Sequence, residues 1–83
     1  MNFFYIYVLK SLKGKKVTYV GYTKNLKNRL KLHNEGKAAK FTRGRKWKLI
    51  YKEKYRSKKT AMSREHHIKK NRKLRTSIIK KFS

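Results

Sequence analysis

The chain opens with two short runs in which apolar and aromatic residues dominate, and each run has the length of a β-strand. The first, residues 3–9, reads FFYIYVL, and the second, residues 17–22, reads VTYVGY. Both are rich in the β-branched and aromatic side chains that strands favour. Because the link between them is short and contains Gly14, we expect an antiparallel hairpin with its turn at residues 11–16.

The spacing of apolar residues then changes from strand-like to helical. In residues 24–35, which read KNLKNRLKLHNE, Leu26 and Leu30 are four positions apart and fall on one face of a helix. Thr23 has a side chain suited to cap the N-terminus of this helix. Gly36 suits the left-handed backbone with which many helices end, so the pattern predicts a helix between these two residues.

The second half of the chain predicts one more strand and two more helices. A basic loop, residues 36–46, leads to a run that predicts a third strand over residues 47–55. Ser57 is suited to cap a second helix over residues 58–72, and residues 73–82 predict a short final helix. The order ββαβαα predicts an α+β fold, in which a small three-stranded antiparallel sheet is flanked by helices.

Length and composition exclude several classes of protein. The 83 residues predict one domain, residues 1–83, with a small core. The chain has no cysteine, which excludes disulfides and thiolate metal sites. No apolar run approaches the roughly 18 residues that a membrane-spanning helix needs. The apolar N-terminus lacks the basic start of a signal peptide, so we expect it to be a strand.

Charge indicates the kind of partner. Lysine and arginine number 27 and acidic residues only 3, which gives a formal net charge of +24. Repulsion on this scale opposes a compact fold, and a polyanion relieves it. Nucleic acid is the first candidate, because each phosphate that the protein neutralises releases counterions. An anionic membrane surface is the second candidate. A ribosomal or chromatin protein carries similar charge, so basicity alone assigns no activity.

The two predicted strands of the hairpin place tyrosines on a common face. Alternate residues of a strand share a face, so Tyr5 and Tyr7 point one way, and Tyr19 and Gly21 share a face of the second strand. If the other face packs on the helices, the tyrosine hydroxyls gather here. Glycine inside a strand marks a bulge or a close approach to a ligand. The alternative is that strands simply favour tyrosine.

Two polar residues of the first predicted helix are candidates for chemistry. Arg29 and His33 are four positions apart, so their side chains are neighbours on one face. Arginine suits a phosphate oxygen because its guanidinium is planar and permanently charged, and histidine transfers protons near neutral pH. The alternative is a solvated face on which His33 complements the helix dipole.

The three acidic residues are Glu35, Glu53 and Glu65, and a hard divalent cation needs at least one carboxylate among them. Glu65 lies beside the apolar stripe of the second predicted helix, so we expect it to face something internal and choose it as the metal ligand. The alternative is an ion pair with Lys69 or Lys58. We expect the other two glutamates to be surface charges.

The loop after the first predicted helix combines cations with aromatic residues. Between residues 37 and 48, Phe41 and Trp47 are interleaved with lysine and arginine, which is typical of a segment that follows a phosphate backbone and stacks on bases. The alternative is an ordinary loop in a lysine-rich protein. The candidate nucleic-acid-binding residues are Lys37, Lys40, Arg43, Arg45 and Lys46.

In order and spacing, these residues resemble the GIY-YIG endonuclease superfamily, over nearly the whole chain. The residues that carry the resemblance are Tyr5-Ile6-Tyr7, Tyr19-Val20-Gly21, Arg29, His33 and Glu65. Within this superfamily the chain looks most similar to the small, single-domain bacterial UPF0213 proteins. The segment KAAKFTRGR, followed by LIY, carries this similarity. The chain departs from the pattern at three positions: Tyr5 replaces a glycine, Val20 an isoleucine, and Lys46 a proline. Ser77 is the candidate for a late polar residue, often asparagine.

The resemblance implies a metal-dependent endonuclease that hydrolyses DNA phosphodiester bonds. Glu65 would hold one Mg²⁺ or Mn²⁺, and Arg29 would bind the scissile phosphate. Tyr19 is the candidate general base for the attacking water, with His33 or Tyr7 assisting. The resemblance also implies structure-selective cleavage in DNA repair or recombination. It further implies a cytoplasmic location with association to the nucleoid, and a protein partner for targeting.

Two alternatives to an enzyme remain open at this point. A nucleic-acid-binding protein without turnover, acting on DNA or RNA, would carry the same charge. A ribosome-associated protein would bind RNA and show no response to metal. A role on a membrane surface is disfavoured, because no predicted helix sets a basic face against a broad apolar one.

Overall fold

The computed structural model describes residues 3–12 and 17–82, and its elements follow the predicted order ββαβαα. The predicted α+β class is confirmed, whereas the predicted turn at Gly14 lies outside the described residues. The strands are β1 (Phe4–Ser11), β2 (Thr18–Thr23) and β3 (Trp47–Tyr55). The helices are α1 (Leu26–Asn34), α2 (Lys58–Lys70) and α3 (Arg72–Phe82), and none of these is long and apolar enough to cross a membrane.

β1 is the central strand of an antiparallel sheet with the order β2-β1-β3, which confirms the predicted hairpin. The pairing of β1 with β3 shifts register between Val8, which pairs with Tyr51, and Leu9, which pairs with Leu49. Ile50 is therefore an extra residue in β3, a β-bulge. Side chains alternate along a strand, and the extra residue shifts this alternation by one position. Odd-numbered residues of β3 therefore point to the α1 side before the bulge and to the opposite side after it.

Both faces of the sheet are covered by apolar side chains, so the central strand is the most deeply buried. α2 and α3 pack on one face, where the buried residues are Ile6, Val8, Val20, Ile50, Ala61, Ile68 and Ile78. α1 and the loop that follows it cover the other face, where Tyr7, Leu9 and Trp47 are buried with Tyr19, Leu26, Leu30 and Leu49 packed against them. The candidate tyrosines thus lie on the α1 face, opposite the main core, as the strand alternation predicts.

The ends of α1 are set by an asparagine and a glycine. The prediction of Thr23 as N-cap is wrong, because Asn25 accepts the capping hydrogen bond from the backbone N–H of Asn28 at 3.0 Å. Thr23 ends β2 instead, and its hydroxyl accepts from the N–H of Asn25. As predicted, Gly36 (φ 74°) stops the helix: it follows the C-cap Glu35, and its N–H bonds to the carbonyl of His33 in a Schellman motif.

α2 has the predicted N-cap, Ser57, whose side chain accepts from the N–H of Thr60. It ends at Lys70, two residues earlier than predicted. Asn71 has an extended backbone and accepts from the N–H of Leu74, so it caps α3. Arg72 therefore belongs to α3 and not to α2.

A single side chain, Asn34, joins the end of α1 to the start of β3. Its Oδ1 accepts from the backbone N–H of Trp47 at 2.6 Å, and its Nδ2 donates to the carbonyl of the same residue at 3.3 Å. The backbone carbonyl of Asn34 also accepts from the Lys46 ammonium. These hydrogen bonds join the two ends of the loop between α1 and β3 and hold the C-terminal turn of α1 against the sheet.

Glu53 is not the surface charge that its neighbours in the sequence indicate. Its carboxylate accepts two hydrogen bonds from the guanidinium of Arg64, at 2.8 and 3.0 Å, and one from each hydroxyl of Tyr51 and Tyr55. Burial raises the pKa of this carboxyl, but the hydrogen bonds from Arg64 and the tyrosines outweigh burial and hold the pKa below its usual range. Glu53 therefore fastens β3 to α2 and has no free oxygen for a metal.

Candidate active site

The hydroxyl of Tyr7 lies at the centre of the candidate site. Tyr7 is only 3% exposed and sits in β1 directly opposite Gly21 of β2. A Cβ built on Gly21 would lie 2.3 Å from the Tyr7 Oη and 2.4 Å from its Cζ, so only glycine leaves room for this ring. The predicted close approach at Gly21 therefore exists, and the approaching group is the side chain of Tyr7.

His33 meets Tyr7 from α1. It is 1% exposed, its Nε2 lies 2.8 Å from the Tyr7 Oη, and its Nδ1 lies 2.9 Å from the Oγ1 of Thr42. The alternative of a solvated helix face is excluded for this residue by its burial. Thr42 was missed by sequence reasoning, because a lone threonine in a basic loop has no periodic pattern that marks it as buried.

The protonation states of this pair follow from burial and nearby charge. Burial lowers the pKa of His33, and the Arg29 guanidinium lowers it further. Burial raises the pKa of Tyr7; Tyr19 and Glu65 act in the same direction, and Arg29 acts against them. Near neutral pH the site therefore holds a neutral imidazole beside a protonated phenol.

The other three predicted site residues surround this pair. The ring of Tyr19 lies 5.0 Å from the His33 ring and 6.4 Å from the Tyr7 ring, centroid to centroid. Arg29 and Glu65 act electrostatically on Tyr7, Arg29 from α1 and Glu65 from α2. The structure thus brings Tyr7, Tyr19, Arg29 and His33 together on the α1 face of the sheet, whereas Glu65 acts on Tyr7 from α2, which packs on the opposite face.

Glu65 is the carboxylate that best fits a divalent ion. Its side chain is 17% exposed, and within the described part of the chain it forms an ion pair with Lys69, which is about half exposed, at 3.7 Å. Glu35, paired with Lys37 at 3.8 Å, is exposed as predicted. Within residues 3–12 and 17–82 no three histidine, aspartate or glutamate side chains form a metal cluster. An ion at Glu65 would take its other ligands from water and a phosphate, as Mg²⁺ commonly does.

The two aromatic residues of the basic loop have different environments. Phe41 is 54% exposed, and its ring lies 6.1 Å from the ring of Tyr19 at an interplanar angle of 23°. Trp47 is 3% exposed, and its indole N–H donates to the backbone carbonyl of Thr42 at 3.0 Å. Phe41 is therefore open to a base, whereas Trp47 is part of the core and is not.

The predicted nucleic-acid-binding cations lie in the loop that covers the α1 face. The side chains of Lys37, Lys40, Arg43 and Lys46 are exposed, and that of Arg45 is half-buried. An open pocket at the C-terminal end of α1 is lined by Asn34, Glu35, Gly36, Arg43, Gly44, Arg45 and Lys46. Three cations and one carboxylate, that of Glu35, line this pocket, so its charge is positive overall.

Comparisons with known proteins identify one family and one fold. The family model of the GIY-YIG catalytic domain matches residues 3–77. A UPF0213 protein of Clostridium perfringens is 48% identical over 67 residues, which cover 80% of this chain and 70% of the relative. A UPF0213 protein of Streptococcus agalactiae is 45% identical over 78 residues, which cover 92% and 86%. The solution NMR structure of a UPF0213 protein of Bacillus halodurans is 34% identical with a TM-score of 0.55, covering 94% of this chain and 83% of that one.

The contact between Gly21 and Tyr7 predicts that Gly21→Ala is destabilising. The added methyl must displace the buried tyrosine ring, and overpacking of this kind costs about 1–3 kcal/mol. Urea unfolding, followed by the fluorescence of Trp47, measures the free energy of unfolding. Lys48→Ala, an exposed change on β3, is the control and should stay within about 0.5 kcal/mol of the unchanged protein. Equal stability of the two variants would contradict the close packing.

The lowered pKa of His33 predicts a loss of stability in mild acid. The unfolded chain binds a proton at the ordinary histidine pKa of 6.5, whereas the folded chain binds it only at lower pH. The free energy of unfolding should therefore fall as the pH drops below 6.5, by at most about 1.4 kcal/mol per pH unit from this group. His33→Gln should remove this slope and His66→Gln, at an exposed position, should not. Parallel pH profiles for all three proteins would show that His33 is not the responsible group.

Proposed function

The chain belongs to the GIY-YIG family, a nuclease superfamily, and on this basis we propose that it is a metal-dependent endonuclease that hydrolyses DNA phosphodiester bonds. The observation that carries the proposal is the meeting of Tyr7, Tyr19 and His33 at one point, within reach of the charges of an arginine and a glutamate. Phosphodiester hydrolysis needs an acceptor for the proton of water, a cation for the phosphate and a ligand for a metal, and this set supplies all three.

Arg29 is proposed to bind the scissile phosphate. Arg29 is half-buried on α1, and its charge lies close enough to Tyr7 and His33 to lower the pKa of both. A fixed positive charge beside the reacting phosphorus stabilises the negative charge that develops on the phosphoryl oxygens. Arginine keeps this charge at every pH at which the protein is folded.

Glu65 is proposed to hold the divalent ion, Mg²⁺ or Mn²⁺. A bound ion of this kind polarises a phosphoryl oxygen and stabilises charge on the attacking or leaving oxygen. Glu53 and Glu35 are less suited, the first because four hydrogen bonds occupy its oxygens and the second because it is exposed at the end of α1. The ammonium of Lys69 must give way to the ion, which its exposure allows.

Water activation is proposed to involve Tyr19, with Tyr7 and His33 assisting. Water attacks phosphorus and forms the new P–O bond, the bond to the leaving oxygen breaks, and one proton of the water passes to the protein. Among the residues that the structure describes, the Tyr19 hydroxyl has no hydrogen-bond partner, so it is available to contact the water. The neutral imidazole of His33 is ready to take up the proton.

Substrate binding is proposed to rest on the basic loop and on Phe41. Arg43, Arg45 and Lys46 line one pocket and would contact the phosphate backbone beside the scissile bond. An unpaired base can stack on the exposed ring of Phe41, next to Tyr19, whereas the bases of a regular duplex are already stacked. This favours substrates with unpaired bases, and cleavage selective for DNA structure in repair or recombination is the role we propose.

A protein that binds DNA or RNA without cleaving it is the second candidate. The net charge of +24 supports binding as strongly as it supports catalysis. The ion pair of Glu65 with Lys69 is the specific observation that favours it, because a neutralised carboxylate would serve structure only. The two functions differ in their response to metal.

The test is a cleavage assay with Glu65→Gln as the variant and His66→Gln, an exposed neighbour on α2, as the control. Labelled single-stranded, duplex, nicked, flap and branched DNA and RNA are incubated with Mg²⁺, Mn²⁺ or EDTA. Loss of the metal ligand removes several kcal/mol of transition-state stabilisation, so Glu65→Gln should cleave more than about 100-fold more slowly, whereas the control keeps the full rate.

DNA affinity in EDTA separates the two candidate functions. It should be unchanged or tighter in Glu65→Gln, because the variant loses a negative charge and no cation. Tight, salt-sensitive binding by the unchanged protein with no cleavage under any metal would reject the nuclease and leave the binding protein.

A further inference from the structure

Thr42 is fully buried in a loop that is otherwise basic and largely exposed. Its hydroxyl oxygen lies 2.9 Å from the Nδ1 of His33 and 3.0 Å from the backbone carbonyl of Ala39. A hydroxyl has a single proton to donate, and a carbonyl oxygen only accepts. The two contacts of Thr42 therefore determine where the protons of the neighbouring imidazole lie.

Proton counting favours one tautomer of His33. If the Thr42 hydroxyl donates to the Ala39 carbonyl, it must accept from an Nδ1–H, and the free Nε2 then accepts from the Tyr7 hydroxyl. All three contacts are then hydrogen bonds. If Nε2 carried the proton instead, the Thr42 hydroxyl would have to donate to Nδ1, and it would have no proton left for a hydrogen bond to the Ala39 carbonyl. The network thus assigns the proton to Nδ1.

We propose that Thr42 is a positioning residue that keeps the proton of His33 on Nδ1, so that Nε2 remains a proton acceptor directed at Tyr7. The proposal rests on the proposed nuclease function and adds a residue to it that touches neither the phosphate nor the metal ligand. Thr42 acts through His33, because it determines which imidazole nitrogen carries no proton.

The surroundings of Thr42 hold its hydroxyl in place. Its backbone N–H donates to the carbonyl of Ala39, and its own carbonyl accepts from the indole N–H of Trp47. Trp47 is in turn paired through its backbone with Asn34, the residue after His33. Hydrogen bonds to the backbone of Thr42 and of Trp47 therefore hold the loop in place around the imidazole of His33.

The tautomer gives the proton of the attacking water a defined path. As the water forms its bond to phosphorus and the bond to the leaving oxygen breaks, the proton of the water passes to the Tyr7 oxygen, either directly or by way of Tyr19, which then hands its own hydroxyl proton to Tyr7. At the same time the hydroxyl proton of Tyr7 moves to the Nε2 of His33. The product is an imidazolium whose Nδ1–H still donates to Thr42, and no phenolate accumulates. The raised pKa of Tyr7 and the lowered pKa of His33 fit this starting state, with a protonated phenol and a neutral imidazole.

The experiment combines ¹⁵N NMR of the imidazoles with cleavage kinetics. Nitrogen shifts and two-bond couplings distinguish the Nδ1–H and Nε2–H tautomers of His33 in the free protein, without metal or DNA. The variants are Thr42→Val, which keeps the shape and removes the hydroxyl, and Thr42→Ser, which keeps the hydroxyl. Thr76→Val, at an exposed position of α3, is the matched control.

We expect the Nδ1–H tautomer in the unchanged protein, in Thr42→Ser and in Thr76→Val, and a shift towards Nε2–H in Thr42→Val. Turnover of a labelled DNA substrate should fall about 10–100-fold in Thr42→Val, which is typical when a residue that orients a functional histidine is lost. DNA affinity measured in EDTA should not change, and Thr42→Ser should recover most of the turnover.

Two results would overturn the proposal. The first is an Nε2–H tautomer in the unchanged protein, which needs no variant and so does not depend on whether Thr42→Val folds. The second is a Thr42→Val protein that keeps the Nδ1–H tautomer and full turnover. Absence of cleavage by the unchanged protein would instead reject the proposed nuclease, while the tautomer measurement would still decide the role of Thr42.

Discussion

The buried hydrogen bond between Tyr7 and His33, 2.8 Å long, is the interaction on which the candidate site depends. It joins the central strand to the first helix, and each partner is held by a separate constraint. Gly21 leaves the space that the tyrosine ring occupies, and Thr42 bonds the far nitrogen of the imidazole. Because both rings are buried, the site is preorganised before any substrate binds, which is the condition for strong stabilisation of a transition state.

Much of this arrangement is predictable from local patterns. Strand alternation places Tyr7 and Tyr19 on the face opposite the main core, and helical spacing places Arg29 beside His33. The α+β fold, the element order and the family follow from the same residues, and all three are confirmed. The roles of the five site residues stay predictions, because proximity alone does not measure turnover.

What local patterns miss are features that depend on contacts between distant parts of the chain. Glu53 is surrounded by lysines in the sequence and looks like a surface charge, yet the packing of α2 brings Arg64 onto it, beside the two tyrosines that share its face of β3. Thr42 is the one threonine of a basic loop, and its buried contacts are with His33 and with the indole of Trp47, which lie outside that loop. No periodicity in the sequence encodes the contact of Glu53 with Arg64 or that of Thr42 with His33.

Tyr7→Phe tests the central claim most directly, because it removes one oxygen atom and keeps the buried ring. Tyr22→Phe, which deletes a hydroxyl on the opposite face of the sheet, is the matched control. Metal-dependent cleavage of labelled DNA should fall at least about 100-fold in Tyr7→Phe and not in the control, with DNA affinity in EDTA equal in both, since acid–base groups contribute factors of this size. Cleavage by Tyr7→Phe at the full rate would contradict the account.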